Sequence, residues 1–422
     1  MRKFLATFLA VLLIFLGTAA LSNATKKVKA HEQVVIEKIA TMGRKKSKAS
    51  KKNKAPKEYG VRMEITTSTG IGKTDVSIAI PENKPGTAVP LTLGLGVTNN
   101  TSQTFPFLNG TFIPEIVAPD GEVLKPLEPI NKPSGSQRYH WLLIPPGQKR
   151  GFPLRAKLYW QNNLLKLSIP TKPHIWGSTV TDEDIWVFEA LKSGTYQIRF
   201  IYETPNTEVL LSEPEINQLT ELGQIYTQKL ETSFVKIQLI QPTESDKNAI
   251  EVDGIRFETF LPQKVLTIPK KEPGSSGSIP LAGLSITNNT SNPIRFINDL
   301  NPEMVNADGQ ILFRGYFSDW LRPIEESDLV LVMPGKEITF FYEAVIWYQE
   351  EDKFELVLSI GDGGSHTFEI TELGNYKIQL NYINKTAETK VYDQEIRERK
   401  SIENIWTGMV ITPLKEFNLV RS

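Results

Sequence analysis

One phrase occurs twice in this chain, and its repetition limits the folds that the chain can adopt. The first version, VTNNTSQTFPF, begins at Val97, and the second, ITNNTSNPIRF, begins at Ile286. Further paired segments follow in the same order: PEIVAPDG with PEMVNADG, PPGQKRGFPLRAKLYW with MPGKEITFFYEAVIWY, and FEALKSGTYQIRFIY with FEITELGNYKIQLNY. Such collinear matches indicate an internal duplication. Because only two copies are present, they predict tandem domains rather than a solenoid, which needs more units to bury a continuous core.

The paired segments also indicate what each copy folds into. The Asn-Asn-Thr-Ser phrase, an Asp-Gly pair and a Pro-Gly pair are turn signals. Between them, apolar side chains occur at every second position, and this period predicts strands that bury one face. The alternating residues are Phe152, Leu154, Ala156, Leu158, Trp160, Tyr196, Ile198, Phe200 and Tyr202 in the first copy, and Phe340, Tyr342, Ala344, Ile346, Tyr348, Tyr376, Ile378, Leu380 and Tyr382 in the second.

Many short strands separated by turns predict an all-β chain of two tandem antiparallel β-sandwiches. The length of 422 residues accommodates both. We place the first sandwich at residues 59–241 and the second at 249–422, with the linker QPTESDKNA between them. We expect each copy to fold alone and to close with a strand, at 232–240 and at 406–414. We also expect a short helical insertion at 212–230 of the first copy.

The order of these motifs resembles a known class of domain. A strand, an NNTS turn, a DG hairpin, a PG turn, a long aromatic strand and a G-x-Y-x-I strand follow one another, as in the immunoglobulin-like sandwiches common in bacterial exported proteins. The order is also similar to that of the BsuPI-type intracellular proteinase inhibitor domain, which has an N-x-S … DG … PG … W … G-x-Y progression. The likeness covers most of each copy and implies an immunoglobulin-like fold. The chain departs from the inhibitor pattern because its copies are longer, it carries an export signal, and no segment matches an inhibitory loop.

The N terminus has the features of a secretory signal peptide. Arg2 and Lys3 precede a nearly unbroken apolar run at residues 4–20, and Ser22 and Ala24 are the small residues that a signal peptidase requires. We predict cleavage after residue 24 and export to the periplasm or beyond. The alternative is an uncleaved N-terminal anchor, because the apolar run is just long enough to span a bilayer. The absence of cysteine excludes a lipoprotein anchor and suits a bacterial exported protein.

A basic arm follows the signal peptide. Residues 25–58 contain 12 Lys and Arg against 3 Glu, a charge of +9, and the signal contributes +2. Since the formal charge of the whole chain is zero, residues 59–422 carry −11. The arm lacks apolar periodicity, which predicts disorder. It is either a solvated linker or an electrostatic anchor for an acidic surface, and nucleic acid is a poor candidate partner because no aromatic residue is interleaved with the lysines.

The sequence offers no constellation of residues for catalysis. The four histidines, His31, His140, His174 and His366, are not spaced as metal ligands, and no Gly-x-Ser-x-Gly elbow occurs. We therefore expect neither an enzyme nor a cofactor. Weak candidates for a hard cation such as calcium lie in two acidic loops, although their spacing matches no calcium-binding loop. They are Asp182, Asp184 and Asp362.

Tryptophan, tyrosine and arginine in loops are the best candidates for contact with a partner, because these residue types are enriched at interface hot spots. The candidates are Arg138, Tyr139, Trp141, Trp176, Tyr316, Trp320 and Arg322. The remaining tryptophans follow strand patterns and are expected in the core; they are Trp160, Trp186, Trp347 and Trp406. The sequence thus predicts an exported, non-catalytic binding or scaffolding protein of the bacterial cell envelope, with a protein or glycan partner. The alternative is a proteinase inhibitor or an unrecognised hydrolase.

Overall fold

A computed structural model describes most of residues 60–421. The chain divides into the unit Met1–Glu58 and the compact unit Tyr59–Ser422. The first unit, which contains the predicted signal peptide and the basic arm, lies outside the described residues. No helix in the described part is long and apolar enough to cross a membrane. Within the second unit the description leaves out 68–69, 72–74, 85–86, 109–110, 128–140, 172–184, 204–228, 271, 273–275, 280–281, 319–323, 350–352, 360–363 and 394–397.

The first copy contributes strands β1 to β14. They are β1 (Val61–Thr67), β2 (Gly70–Ile71), β3 (Val76–Ala79), β4 (Ala88–Asn99), β5 (Phe105–Leu108), β6 (Thr111–Val117), β7 (Val123–Leu124), β8 (Trp141–Ile144), β9 (Lys149–Gln161), β10 (Leu164–Pro170), β11 (Ile185–Phe188), β12 (Gly194–Glu203), β13 (Leu230–Glu231) and β14 (Val235–Ile240).

The second copy contributes strands β15 to β32 and one 3-10 turn, Glu326–Asp328. The strands are β15 (Ala249–Val252), β16 (Ile255–Phe260), β17 (Val265–Ile268), β18 (Ser276–Ile279), β19 (Gly283–Asn288), β20 (Ile294–Ile297), β21 (Leu300–Val305), β22 (Arg314–Ser318), β23 (Leu329–Val332), β24 (Glu337–Phe341), β25 (Glu343–Tyr348), β26 (Phe354–Ser359), β27 (Gly364–Ile370), β28 (Gly374–Asn384), β29 (Thr389–Asp393), β30 (Glu398–Ile402), β31 (Gly408–Ile411) and β32 (Lys415–Arg421).

Each copy is a sandwich of sheets around an apolar core. In the first copy, one sheet has the order β11-β10-β9-β4-β1-β2, and the other contains β3-β14-β12-β6-β7. In the second copy, β17-β32-β28 with β21 face two smaller sheets, β15-β16-β19-β24 and β18-β25-β26-β27-β22. The long strand β9 has its counterpart in β24 and β25, which are separated at Tyr342. The predicted alternation is confirmed, because the inward residues of β9, β12 and β28 are buried.

Two features make the sandwiches immunoglobulin-like. The sheets β6-β12-β14 and β21-β28-β32 repeat the C-F-G order of that fold. Each central strand also begins with a tyrosine corner: the Tyr196 hydroxyl donates to Lys192 O at 3.1 Å, and the Tyr376 hydroxyl donates to Glu372 O at 2.7 Å. In the opposite sheet, β9 lies beside β4 and is followed outward by β10 and β11. The copies therefore share the sandwich architecture without the complete immunoglobulin strand order.

The turn signals act as the sequence predicts. Gly194 and Gly374 open the central strands with φ of 148° and 129°, a region that favours glycine. In the NNTS turns, one asparagine of each copy is fully buried and bonds the surrounding backbone. Its amide nitrogen donates to two carbonyl oxygens, and its side-chain oxygen accepts from the backbone and hydroxyl of the threonine two residues later. The bonds join Asn99 to Gln103, Ile144 and Thr101, and Asn288 to Asn292, Val332 and Thr290.

Two details of the second copy differ from the sequence-based expectations, and a third expectation, in the first copy, is not tested. The closing strand of the second copy is β32, because it pairs with β28 as β14 pairs with β12. The segment 406–414, which was expected to close the copy, instead holds β31, and β31 pairs with the later residues of β28. Trp347 is 44% exposed on the outer face of β25. It lies between the inward Ile346 and Tyr348, so the alternation itself points it outward. The predicted helical insertion at 212–230 lies outside the described residues except for Lys229 and Leu230.

One sheet runs through both copies. Strand β3 of the first copy pairs in parallel with β14 on one side and with β31 of the second copy on the other. The apolar cluster of the first copy accordingly includes Ile383, Met409 and Ile411 from the second. The two copies are thus joined by backbone hydrogen bonds and by shared core residues. Whether each copy also folds alone stays a prediction of the sequence.

Candidate binding cleft between the two copies

The structure describes few of the residues predicted to contact a partner. Tyr316 lies on β22 and is 50% exposed, with its ring centroid 5.3 Å from that of His366. Trp141 begins β8, which pairs with β5. The others lie outside the described residues, as do the weak cation candidates; they are Arg138, Tyr139, Trp176, Trp320, Arg322, Asp182, Asp184 and Asp362. Within the described part of the chain, no group of three or more His, Cys, Asp or Glu side chains is placed to hold a metal ion.

A cleft of about 1000 Å³ opens where the two copies meet. One wall is the connection between β3 and β4 of the first copy, and the interdomain linker forms the back. The outer face of β28 and β32, with the ends of β16 and β31, forms the rest. Its volume falls at the upper end of the range for ligand sites in proteins. Both copies are therefore needed to build the cleft.

An apolar strip runs along one side of the cleft. Phe260 is 43% exposed and packs edge-on against Phe341, with ring centroids 5.9 Å apart. Leu261 and Leu414, both half-buried, continue the strip. Exposed apolar side chains in a concavity release ordered water when they are covered, which favours binding of a ligand that has apolar groups of its own.

Charged side chains of both signs surround the strip. Glu82 of the first copy forms an ion pair with Lys84, and this hydrogen bond lowers the pKa of the Glu82 carboxyl. Lys247 of the linker and Lys377 of the second copy, which also line the cleft, lower it further. On the opposite side, Lys415 Nζ lies 2.9 Å from Glu258 Oε1. The rim thus alternates in sign and has little net charge.

The back of the cleft is folded rather than loose. Asp246 Oδ1 accepts from Arg256 Nη2 at 3.1 Å, and Arg256 Nη2 also donates to Glu258 Oε2 at 2.6 Å. The Arg256 guanidinium lowers the pKa of Asp246. Asp246 N also donates to Thr243 O at 3.0 Å, which closes a turn within the linker. These contacts attach the linker to β16 and fix one wall of the cleft.

A buried polar cluster fixes the angle between the copies. Glu303 is 3% exposed and accepts from Thr92 Oγ1 of the first copy at 3.1 Å, and its carboxylate lies 3.1 Å from Arg314 Nη1. Arg155 of the first copy lies over the Phe313 ring at 4.7 Å. Burial lowers the pKa of Arg155, an effect that the Glu303 carboxylate opposes. A buried carboxylate needs its partners, so these contacts resist any rearrangement that would separate them.

Sequence reasoning missed this cleft for a physical reason. Its walls come from distant segments that meet only because β31 adds to β3, and no periodicity or motif marks that pairing. The fold and the cleft together define a class, a tandem immunoglobulin-like β-sandwich protein with an interdomain groove.

Comparison with known proteins adds no closer identity. No family model matches the chain, and no curated protein matches it. Among solved structures, the cryo-EM reconstruction of the native conformation of E. coli alpha-2-macroglobulin is similar with a TM-score of 0.17 and 9% identity. The match covers 89% of this chain and 24% of that one, so this chain spans about a quarter of its length. A TM-score this low carries no argument about fold or function.

Proposed function

We propose that the chain is a non-catalytic binding or scaffolding protein of the bacterial cell envelope, whose interdomain cleft receives a segment of a partner protein. The observation that carries the proposal is the cleft itself, built by both copies and backed by a folded linker. The buried Glu303 cluster and the shared sheet hold the two copies in one arrangement, and a preformed site loses less conformational entropy on binding.

The composition of the cleft favours a protein segment as its occupant. The strip of Phe260, Leu261 and Leu414 offers apolar contact, and the flanking ion pairs present both signs of charge. Protein interfaces combine an apolar centre with a polar rim in this way.

The proposed envelope location rests on the signal peptide predicted from residues 1–24. Intact-mass measurement of the exported protein tests that signal peptide, and we expect a mature chain that begins at Thr25.

Site-specific photocrosslinking in the native host tests the binding proposal. A photoreactive phenylalanine analogue replaces Phe260 in the cleft, Tyr316 in the sequence-predicted loop, or Val123, which is 52% exposed on β7 of the first copy. We expect a discrete protein adduct from position 260 and none from 123. A partner adduct from position 316 alone would move the binding site to the predicted loop and contradict the cleft.

The similarity to the BsuPI-type inhibitor domain supplies the competing proposal. Purified mature chain is assayed against proteinases of the main catalytic classes and against a panel of hydrolase substrates. Inhibition that persists in a Phe260→Ala variant, together with the absence of a cleft adduct, would replace the binding proposal with inhibition. Turnover of a hydrolase substrate would replace it with an enzyme.

A further inference from the structure

The second copy carries a β-hairpin between β28 and β31, at the position where the first copy has residues 204–228. The hairpin consists of β29 and β30, with Val391 opposite Lys400 and Tyr392 opposite Arg399. Its inner face is firmly attached. Val391 is 0% exposed and Ile402 is 8% exposed, and both join a small apolar cluster with Leu329 and Ile405.

An ion pair secures the inner face as well. Lys400 pairs with Glu326 of the 3-10 turn that precedes β23. The backbone of the hairpin is therefore held from two directions, by apolar packing and by charge. Side chains on the outer face of β29 and β30 are therefore carried by a backbone that is packed against the second copy.

The outer face shows an aromatic ring between two cations. Tyr392 is 48% exposed, and Lys390 and Arg399 are exposed beside it. Directly opposed residues of an antiparallel pair share one face at about 5 Å, and residues two apart along a strand share it at about 7 Å. Arg399 therefore flanks the ring across the hairpin, and Lys390 flanks it along the strand. The sequence of residues 59–422, to which this face belongs, has a total charge of −11.

We propose that this outer face binds an acidic polysaccharide built of uronate residues. The apolar C–H face of a sugar ring stacks on the Tyr392 ring, and ring carboxylates pair with the guanidinium of Arg399 and the ammonium of Lys390. Glu388 lies at the base of the face and accepts from Ser401, so the net charge is small. Recognition therefore requires ring stacking as well as charge pairing. A uronate polymer meets both requirements, whereas a flexible acidic peptide meets only the second.

The flatness of the face also favours a polysaccharide. A stable protein partner buries on the order of 1,000 Å² around an anchored apolar centre. In the described part of the hairpin, the outer face offers one aromatic ring, that of Tyr392. A repeating polymer compensates for a small contact by offering many equivalent sites. This inference is independent of the cleft, because no hairpin residue lines it.

Binding of polygalacturonate to the full mature chain tests the inference. The matched ligands are its methyl ester, which keeps the rings and removes the charge, and poly-L-glutamate, which keeps the charge and removes the rings. We expect the Tyr392→Ala and Arg399→Gln variants each to weaken polygalacturonate binding about tenfold. Tyr392→Phe should keep the affinity, and Lys270→Gln at an exposed position after β17 should leave it unchanged.

The measurement with poly-L-glutamate distinguishes binding by the hairpin from binding by the basic N-terminal arm. That peptide should bind the wild type and the Tyr392→Ala variant equally, since its attachment would be to the lysines of residues 25–58. Unchanged polygalacturonate affinity in both hairpin variants would overturn the proposal. An equal loss of affinity for both polymers would also overturn it, because the face would then recognise charge in acidic peptides rather than a sugar ring. Equal melting temperatures of the variants show that the hairpin remains folded.

Discussion

Asn99 and Asn288 occupy equivalent positions in the two copies, and each is completely buried beneath its own NNTS turn. Each amide nitrogen donates to two backbone carbonyl oxygens at 2.7–2.9 Å. The turn therefore depends on an asparagine whose side chain bonds both the backbone of the turn itself and that of a second segment, at Ile144 or Val332. The recurrence of this arrangement explains why the phrase is nearly identical in the two copies.

Replacing either asparagine by alanine should destabilise the fold strongly. The Asn99→Ala and Asn288→Ala variants each leave buried carbonyl oxygens without a donor, so we expect each to lose about 2–4 kcal/mol in the free energy of unfolding. Urea denaturation followed by fluorescence measures the loss. The neighbouring Asn100→Ala and Asn289→Ala variants alter exposed side chains and should change stability by less than about 0.5 kcal/mol. Equal effects at the buried and the exposed asparagines would contradict the role of the turn.

The buried Glu303 should be more important than surface ion pairs. Glu303→Ala leaves Arg314 buried near Arg155 without its carboxylate, and breaking such a pair costs about 3–5 kcal/mol. The Glu303→Ala/Arg314→Ala double variant should lose less than the sum of the single variants, as measured by a double-mutant cycle. The exposed pair of Lys353 and Glu369, 3.2 Å apart, provides the control. Glu369→Ala should cost at most about 1 kcal/mol.

The alternation of apolar residues allowed the strands to be predicted because a strand has only two faces. Tyr376, Ile378, Leu380 and Tyr382 follow one another inward along β28, so a simple period identified both the strand and its buried side. The same reasoning would have placed Trp347 outward, since it lies between two inward residues. An aromatic residue in a strand belongs to the core only if it occupies one of the alternate positions that face inward.

The hairpin and the cleft were beyond sequence reasoning for different reasons. Among the described residues of β29 and β30, only Val391 and Ile402 are buried apolar residues, and charged residues fill most other positions, so no period is visible. The cleft depends on β31 pairing with β3, a contact between opposite ends of the described chain. Strands pair through backbone N–H and C=O groups, which nearly all residue types carry, so the sequence does not show which strands pair.

His366 should make stability depend on pH. It is 3% exposed, and burial, with the nearby Arg314 charge, lowers its pKa to about 3 from an ordinary value of 6.5. Because the unfolded chain binds the proton more readily, stability is complete above about pH 6.5 and is lost as the pH falls toward 3. From about pH 7 to about pH 5 we expect a loss of about 2 kcal/mol.

Two variants test this assignment by denaturation at several pH values. His366→Leu and His366→Gln should both flatten the dependence above pH 5, where few carboxylates titrate. Tyr316→Phe retains the ring that packs beside His366 and should preserve the dependence. A wild-type stability that is constant between pH 7 and pH 5 would show that His366 titrates normally.

The basic arm should act only at low salt. With a charge of +9 on residues 25–58, retention of the mature chain on an anionic vesicle or resin should fall steeply as salt rises, because screening shortens the range of the attraction. A chain that begins at Tyr59 has a charge of −11 and should not be retained. Equal retention of the two chains would leave the arm as a linker.

Separating the two copies should weaken both. Strand β3 pairs with β31 along Val76–Met409, Ser77–Val410 and Ile78–Ile411, and separation exposes these edges. It also removes Met409 and Ile411 from the apolar cluster of the first copy, where burial of each side chain contributes about 1.5–3 kcal/mol. We expect the chain 59–422 to unfold in one cooperative transition, and fragments 59–248 and 249–422 each to unfold at a lower urea concentration. Mixing the fragments should raise both midpoints, whereas Met409→Asp in the second fragment should prevent the increase. Fragments as stable as the whole chain would show instead that the shared sheet does not stabilise either copy.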